Sequence, residues 1–438
     1  MLTLLPVLRE GAAIPAFAAG VILILVALLD VAFGSFCLRN IRIDLPPMVR
    51  MTKDRESSIE LSITHSDMRA RTVRLGLSLC GQISSPQEDL LAFLPKAAEH
   101  LRVSWPCTPL RRGQFHIHRC HLETESFLGL WAFRGTRDVA CEIRVYPNLT
   151  QERSNLAALF LNRGNYGIHV RRQHGKGREF EKLREYIPGD GFDEIHWKAT
   201  AKRRHPITKV FQIEKAQEVY VAIDTSRLSG RPAVAEENLG GAGPGDLNAD
   251  DSCLERFIAA ALVVGLAARK QGDLFGLLTF SDSVHEFLRA RGGKSHYGAC
   301  REQLFNLHPR MVNPDYEELS TFIRLKLRRR ALIIVLTSLD DPILSESLMR
   351  TVDLMGRRHL VMVNMLRPAH ARPVFSNENI ASTEEIYHEL SGHILWHHLR
   401  EIESALARHG VRFALLDRDR LCVDLVSQYM NVKQRQLL

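Results

Sequence analysis

Several groups of residues in this chain of 438 have types and spacings that could do chemistry. Asp190, His196 and Lys198 bring a carboxylate, an imidazole and an amine close together in sequence, a set able to do acid–base work in a hydrolase. Asp224-Thr225-Ser226 closes a predicted strand, and open α/β sheets bind ligands at the carboxyl ends of their strands. His388, His393, His397 and His398 crowd one predicted helix, where His393 and His397, four apart, share a face as zinc ligands can. The order H-E-x-x-H is absent, however. The alternative is an amphipathic helix with Leu390, Ile394 and His398 on one stripe and its imidazoles in solvent. His116 and His118 share one face of a predicted strand; that spacing suits a metal, or simply the solvated side of a half-buried strand. No G-x-S-x-G, P-loop or G-x-G-x-x-G occurs, so triad, nucleoside-triphosphate and dinucleotide chemistry have no motif behind them.

The most informative stretch runs from Gly177 to Asp190 (GREFEKLREYIPGD) and continues as Ile195-His196-Trp197-Lys198-Ala199-Thr200-Ala201-Lys202. Pro188-Gly189 signals a turn that the Asp190 side chain can close. Phe180, Leu183 and Tyr186 sit three apart, a spacing that stripes a short helix. Trp197 is a large amphipathic residue of the kind that anchors a packed interface. Glu179, Glu181, Arg184, Glu185 and Lys198 supply both signs of charge within a few turns. They fit an internal ion-pair network that docks neighbouring domains better than a site for a partner or an anionic ligand, because dense mixed charge is usually a solvated or self-paired face. From Arg163 to Lys215 there are 13 Lys and Arg against seven Asp and Glu, so this segment supplies +6 of the chain's net +8.

These residues need a frame to hold them. The composition, 45% hydrophobic and 25% charged, is that of a globular protein and excludes collagen, a disulfide mini-protein and wholesale disorder. Gly11 to Leu29 is a run of 19 uncharged residues, roughly 28 Å as a helix, close to the thickness of a bilayer core. Its first eight preceding residues lack Lys and Arg, unlike a cleaved signal. An uncleaved anchor over 1–38 is therefore expected. Arg39, Arg42, Arg50, Lys53 and Arg55 follow it and place the remainder in the cytoplasm by the positive-inside rule. The eight cysteines are scattered without a C-x-x-C pair, which suits buried, reduced thiols.

Over 39–150 short runs alternate with period two, as in Ile59, Leu61 and Ile63 or Val73, Leu75 and Leu77, the pattern of an antiparallel β-sandwich. The charged segment 151–216 has poor hydrophobic periodicity. Over 217–438 strands and helices alternate, beginning with Val219–Ile223 and helix Cys253–Lys270, which predicts a doubly wound, mostly parallel sheet with helices on both faces. Ser382-Thr383-Glu384-Glu385 reads as a capping box opening a long helix.

The GREFEKLREYIPGD…IHWKATAK stretch resembles the signature of the domain of unknown function (DUF) 58 family. So do Arg112-Gly113-Gln114-Phe115, Phe127-Leu128-Gly129-Leu130 and Val145-Tyr146-Pro147. Glu179, Phe180, Leu183, Arg184, Tyr186, Pro188, Gly189, Asp190, Trp197 and Lys198 are the signature residues. The sequence departs from the family's pattern at Gly191-Phe192-Asp193 and at His196, where an Asp usually precedes the Trp. The resemblance implies a bacterial membrane protein with a von Willebrand factor A-like domain, working beside a MoxR-type AAA+ ATPase. It also implies a divalent ion, Mg²⁺ by its hard oxygen ligands, at a D-x-S-x-S loop. Here Asp224 and Ser226 keep two places, Leu228 takes the third, Ser338 stands where a later-loop Asp is usual, and Asp340 is close enough in sequence to help.

The expected function is then that of a membrane-anchored adaptor at the inner membrane, with its soluble domains cytoplasmic, no catalytic residue and no small-molecule substrate. One alternative is a metal-dependent or His/Asp-based hydrolase. Another is a binder of anionic lipid or nucleic acid through Lys198, Lys202, Arg203, Arg204 and Lys209, whose affinity would fall steeply with salt. The interspersed Glu and Asp residues speak against nucleic acid.

Overall fold

The computed structural model describes residues 13–34, 38, 41–65, 72–94, 100–126, 128–162, 174–188, 191–192, 195–212, 216–233, 252–368, 370–374, 376 and 382–435. The chain divides into two units, Met1–Asn148 and Leu149–Leu438.

The first unit opens with helix α1 (Ala13–Gly34), formed by the uncharged run. Its described side chains extend from 17 to 32, about 24 Å of helix, and most between 17 and 29 are exposed apolar groups. Among the described residues no helix is long and apolar enough to cross a membrane.

Among the described residues nine strands follow: β1 (Ile41–Asp44), β2 (Met48–Thr52), β3 (Ser57–His65), β4 (Thr72–Leu77), β5 (Ile83–Ser84), β6 (Leu90–Phe93), β7 (His100–Pro109), β8 (Gly113–Glu125) and β9 (Ala132–Tyr146). They form two sheets, ordered β1-β3-β7-β5 and β2-β9-β8-β4-β6. Ile59, Leu61, Ile63, Val73, Leu75, Trp105, Ile143 and Val145 all enter one buried cluster, the inward half of the period-two pattern. Pairing is not wholly antiparallel, because β2 runs parallel to β9. Pro46 and Pro47 separate β1 from β2; without their N–H donors the chain cannot close a hairpin there, and β2 joins the second sheet.

The described cysteines are all free. Burial pushes the Cys107 and Cys120 thiols up to about 11 and those of Cys300 and half-buried Cys422 to about 12, so these thiols are unreactive.

The second unit begins with α2 (Thr150–Asn162), β10 (His174–Glu185), α3 (Trp197–Arg203) and β11 (Ile207–Gln212). The stretch expected as a short helix striped by Phe180, Leu183 and Tyr186 is instead strand β10, paired antiparallel with β11. The register shifts between Phe180 and Lys182, and Tyr186 lies just past the strand, so the three residues stripe no helix. The β-branched and aromatic residues of β11 (ITKVFQ) supply the partner edge that decides between the two states.

The main sheet is built from β12 (Glu218–Asp224), β13 (Leu274–Phe280), β14 (Val284–Arg291), β15 (Leu332–Leu336), β16 (Leu360–Leu366) and β17 (Arg412–Leu416). Between them run α4 (Cys253–Lys270), α5 (Lys294–Leu304), α6 (Tyr316–Lys326), α7 (Pro342–Gly356) and α8 (Thr383–Arg408), with α9 (Leu421–Gln434) last. The order is β14-β13-β12-β15-β16-β17, parallel except for the antiparallel edge strand β14. The four inner strands are continuous apolar runs because both faces are covered. Val219, Val221, Ile223, α4 and α9 make one core, and Ala222, Ile333, Val335, α6, α7 and α8 the other.

Caps set the helix starts. Ser252 accepts from the N–H of Glu255, Asp315 from those of Glu317 and Glu318, and Asp341 from that of Ile343 before Pro342-led α7. Ser382 accepts from the Glu385 N–H, as the capping box predicts. At the amino end of the sheet, buried Asp273 accepts from Tyr429 Oη, from Lys433 Nζ at 2.7 Å and from the Gln217 N–H at 3.1 Å, fastening α9 to β12 and β13.

Candidate functional site

The carboxyl ends of β12, β13 and β15 meet at Asp224, which is fully buried. Its Oδ1 accepts from the Ser226 N–H at 2.7 Å and its Oδ2 from the Thr337 hydroxyl at 2.6 Å. Thr337, its proton spent on Asp224, accepts from Tyr316 Oη at 2.8 Å. Burial raises the Asp224 carboxyl above its ordinary range, against the lowering pull of Thr337 and Ser226. It also holds the Tyr316 phenol well above its ordinary value, helped by the charges of Asp224, Asp340 and Asp341.

A second layer is cationic. Arg231 pairs with Asp340; Arg227 binds Asn313 at 2.6 Å and approaches Asp341 at 3.8 Å. Backbone bonds hold the loops in place: Arg227 N–H to Val312 C=O at 3.0 Å and Arg310 N–H to Thr225 C=O at 2.7 Å.

A divalent ion here would need about six oxygen ligands. Both Asp224 oxygens are engaged, Ser226 Oγ accepts from the Leu228 N–H, and Ser229 donates to the Ser226 carbonyl at 2.7 Å. Leu228, in the third ligand place, is buried in the core. Of the expected set, Asp340 Oδ1 is a buried oxygen without a partner, but a guanidinium already sits on the other oxygen of that carboxylate. Ser338 is nearly buried at the end of β15. The four residues Asp224, Ser226, Ser338 and Asp340 thus lie at one sheet edge, yet their donors and the resident arginine do not fit a divalent ion. Among the described residues no group of three His, Cys, Asp or Glu could hold a metal. Equilibrium dialysis of the purified protein is expected to show no saturable Mn²⁺ uptake. Stoichiometric uptake that disappears in Asp224→Asn would contradict this.

At the end of β13, Ser281 donates to Asp282 at 2.7 Å and lies 2.6 Å from His285 Nε2. With its proton on Asp282, the hydroxyl can only accept from that imidazole, the reverse of an activated nucleophile.

The signature residues divide. The side chains of Glu179 and Phe180, and all of Gly189 and Asp190, lie outside the described residues. Leu183, Pro188, Trp197 and Lys198 are exposed, and Arg184 and Tyr186 are half-buried. Trp197, expected as a packed anchor, opens α3 with its ring in solvent. His196 caps α3 by accepting the Ala199 N–H on Nδ1 at 3.0 Å, which gives that imidazole a structural task.

On α8 the histidines are dispersed. His393 accepts the Val374 N–H and stacks on Trp396, while His397 pairs with Glu401. Leu395, Trp396, Leu399, Ile402 and Leu406 face the core. Ile386, Leu390 and Ile394, at i, i+4 and i+8, face solvent with Tyr387. Leu390 and Ile394 are therefore on the free face, not the packed one. α8 is about 39 Å long, and its first half packs on residues 370–374, which follow the carboxyl end of β16, through Arg372–Glu389 at 2.7 Å and the Val374–His393 bond. Met311 and Ile343, both exposed, belong to the same edge. Sequence reasoning found Asp224 through its place at a strand end but missed this apolar border, because a solvent-facing stripe has the periodicity of a core-facing one. His116 and His118 are both exposed on β8, their rings stacked at 5.8 Å.

Residues 182–373 match the family described as "Protein of unknown function DUF58". An uncharacterised Bacillus subtilis (strain 168) protein, YeaD, is 24% identical over 124 residues, which are 28% of this chain and 31% of that protein. The match thus spans about a third of that relative's length. An aerotolerance-related membrane protein from Bacteroides fragilis is 14% identical with a TM-score of 0.31, over 50% of this chain and 99% of that one. The SpRpn10 VWA domain is 12% identical with a TM-score of 0.29, over 49% and 95%. Residues 182–373, the stretch that matches DUF58, hold most of the signature and lie within the α/β unit.

Proposed function

We propose that this chain is a membrane-anchored interaction protein, an adaptor and not an enzyme, whose α/β unit presents the carboxyl edge of its sheet to a MoxR-type AAA+ ATPase. The observation that carries the reading is the border of that edge: Met311, 88% exposed, Ile343, 78%, and the α8 stripe of Ile386, Leu390 and Ile394. Soluble proteins rarely leave large apolar side chains grouped in solvent unless something covers them. An amphipathic helix with anchors at i, i+4 and i+8 is a common docking element. Arg227 and Arg231 at this edge are already paired with Asp341 and Asp340, so they can supply orientation and polar rim contacts.

Anchoring rests on α1, whose exposed side chains from Val21 to Leu29 are almost all large and apolar. The basic residues after it favour the inner membrane with both units cytoplasmic.

Co-purification from detergent tests the reading. The full chain should retain a MoxR-type ATPase from the same cells, and Ile394→Asp or Met311→Asp should weaken that capture about tenfold or more. Both positions are exposed, so the variants should fold. Capture of no ATPase with or without nucleotide and Mg²⁺, or capture that both variants leave unchanged, would overturn it.

A further inference from the structure

One end of the first unit carries a rim that neither the family match nor the adaptor reading uses. Three registers define it. Thr72, first in β4, pairs with Phe93, last in β6. Val73 pairs with Thr124, and Glu125, last in β8, with Ala132, first in β9. The β8–β9 connection, described at 126 and 128–131, therefore lies at the same end of the sheet as Phe93, with β4 between them.

That connection is a built turn. Ser126 and Trp131 close it through N–H to C=O at 2.7 Å and through the Trp131 N–H to Ser126 Oγ at 3.0 Å. Gly129 adopts φ +72°, the left-handed conformation that glycine takes without cost. The turn carries exposed apolar side chains, Leu128 at 52%, Leu130 at 55% and Trp131 at 48%, and Phe93 at the end of β6 is 72% exposed.

α1 is fastened to the same turn. Asp30, the acidic residue that interrupts the apolar run, is buried and accepts the Leu128 N–H on Oδ1 at 3.1 Å. Trp131 Nε1–H donates to the Ala27 carbonyl at 3.2 Å. Arg137 on β9 donates to the carbonyls of Leu38 and Ile41, holding the entry to β1. Asp30 is thus explained by a tertiary hydrogen bond, and together with the Trp131–Ala27 bond it sets the exposed apolar turn directly against α1.

We propose that this rim sits in the headgroup zone of a lipid bilayer, with Phe93, Leu128, Leu130 and Trp131 entering the interface and Asp30 and Trp131 locking α1 to the unit. The inference rests on the anchoring reading above. A bilayer is the occupant that continuity selects, since a surface joined to α1 is buried with α1. Trp131 has the form of an interfacial residue, an apolar body with one N–H satisfied. The lock would hold the first unit against the membrane at a fixed angle, where a free tether would let it swing.

The test uses the full chain in phosphatidylcholine–phosphatidylglycerol vesicles, with and without brominated acyl chains. An environment-sensitive fluorophore is placed by Leu130→Cys, Leu25→Cys or Met311→Cys, with the wild-type chain as background for native thiols. Bromolipid should quench the label in Leu130→Cys nearly as strongly as in Leu25→Cys, and leave that in Met311→Cys unchanged. If only Leu25→Cys is quenched, the anchor stands and the rim proposal falls. If Leu25→Cys is not quenched either, the anchoring reading falls and takes the rim with it. A Leu130→Cys label shielded from aqueous iodide but untouched by bromolipid would mean a protein surface, such as a second copy, covers the rim, and would also overturn the proposal.

Discussion

A Gly276→Ala variant is expected to lose about 3 kcal/mol of stability, at the upper end of what overpacking costs. Gly276 lies in the middle of β13, opposite Tyr220 on β12. A Cβ added there would stand 2.3 Å from Tyr220 Cε1 and 3.0 Å from the Ala290 nitrogen. The tyrosine has nowhere to go. Its hydroxyl accepts the Ala290 N–H at 3.2 Å, its ring stacks on Phe287 at 6.0 Å, and it is buried. Burial pushes its phenol up to about 12, so the hydroxyl stays protonated and bonded at any working pH.

A loss of this size lowers the melting temperature of a large domain by roughly 6–12 °C. Tyr220→Val should partly rescue Gly276→Ala, since removing the ring removes the clash. A double-mutant cycle with a strongly favourable coupling supports the geometry; additive effects would refute it.

The same contact shows why the frame was readable and the details were not. Val219 to Ile223 and Leu332 to Leu336 are apolar runs whose length and β-branching fix them as strands buried on both faces. α4 begins at Cys253 and ends at Lys270 in both sequence and structure, because Ser252 caps it and a polar Gln-Gly turn ends it. Edge strand β14 (VHEFLRAR) has no such run and gains its identity from pairing with β13, a long-range fact. β10 is similar: its charges and aromatics suit a helix or a strand, and β11 decides.

At the candidate site Asp224 was legible because a carboxylate ending a central strand has few other reasons to be there. Its partner Thr337 was not, since a donor 113 positions away announces itself by no local pattern. The pairing of Arg231 with Asp340 was equally hidden, and it is what changes the reading from a metal centre to a polar lock. Asp30 gives the opposite lesson. It follows the uncharged run directly with no local reason to be there, whereas its hydrogen bond to the Leu128 backbone makes it the joint between helix and turn.

Replacing Asp224 with alanine is expected to cost about 3 kcal/mol at neutral pH, because it leaves the buried Thr337 hydroxyl and Ser226 N–H without their acceptor. Tyr316 then loses its orientation as well, since Thr337 need no longer point toward β12. The pH dependence distinguishes this from ordinary cavity formation. Burial raises the Asp224 carboxyl in the folded protein, so the folded state holds its proton more tightly than the unfolded one. A raised carboxyl contributes linkage stability that is fully present below the unfolded value near 4 and is lost as pH rises through the folded value. The stability gap between wild type and Asp224→Ala should therefore be widest in acid and narrow toward neutrality, read from urea unfolding across that range. A gap that widens with pH would mean the carboxylate is stabilised in its charged form, as a bound cation would do. Asp224→Asn should lie between the two, since its amide can accept one of the two donors but turns an N–H toward the other.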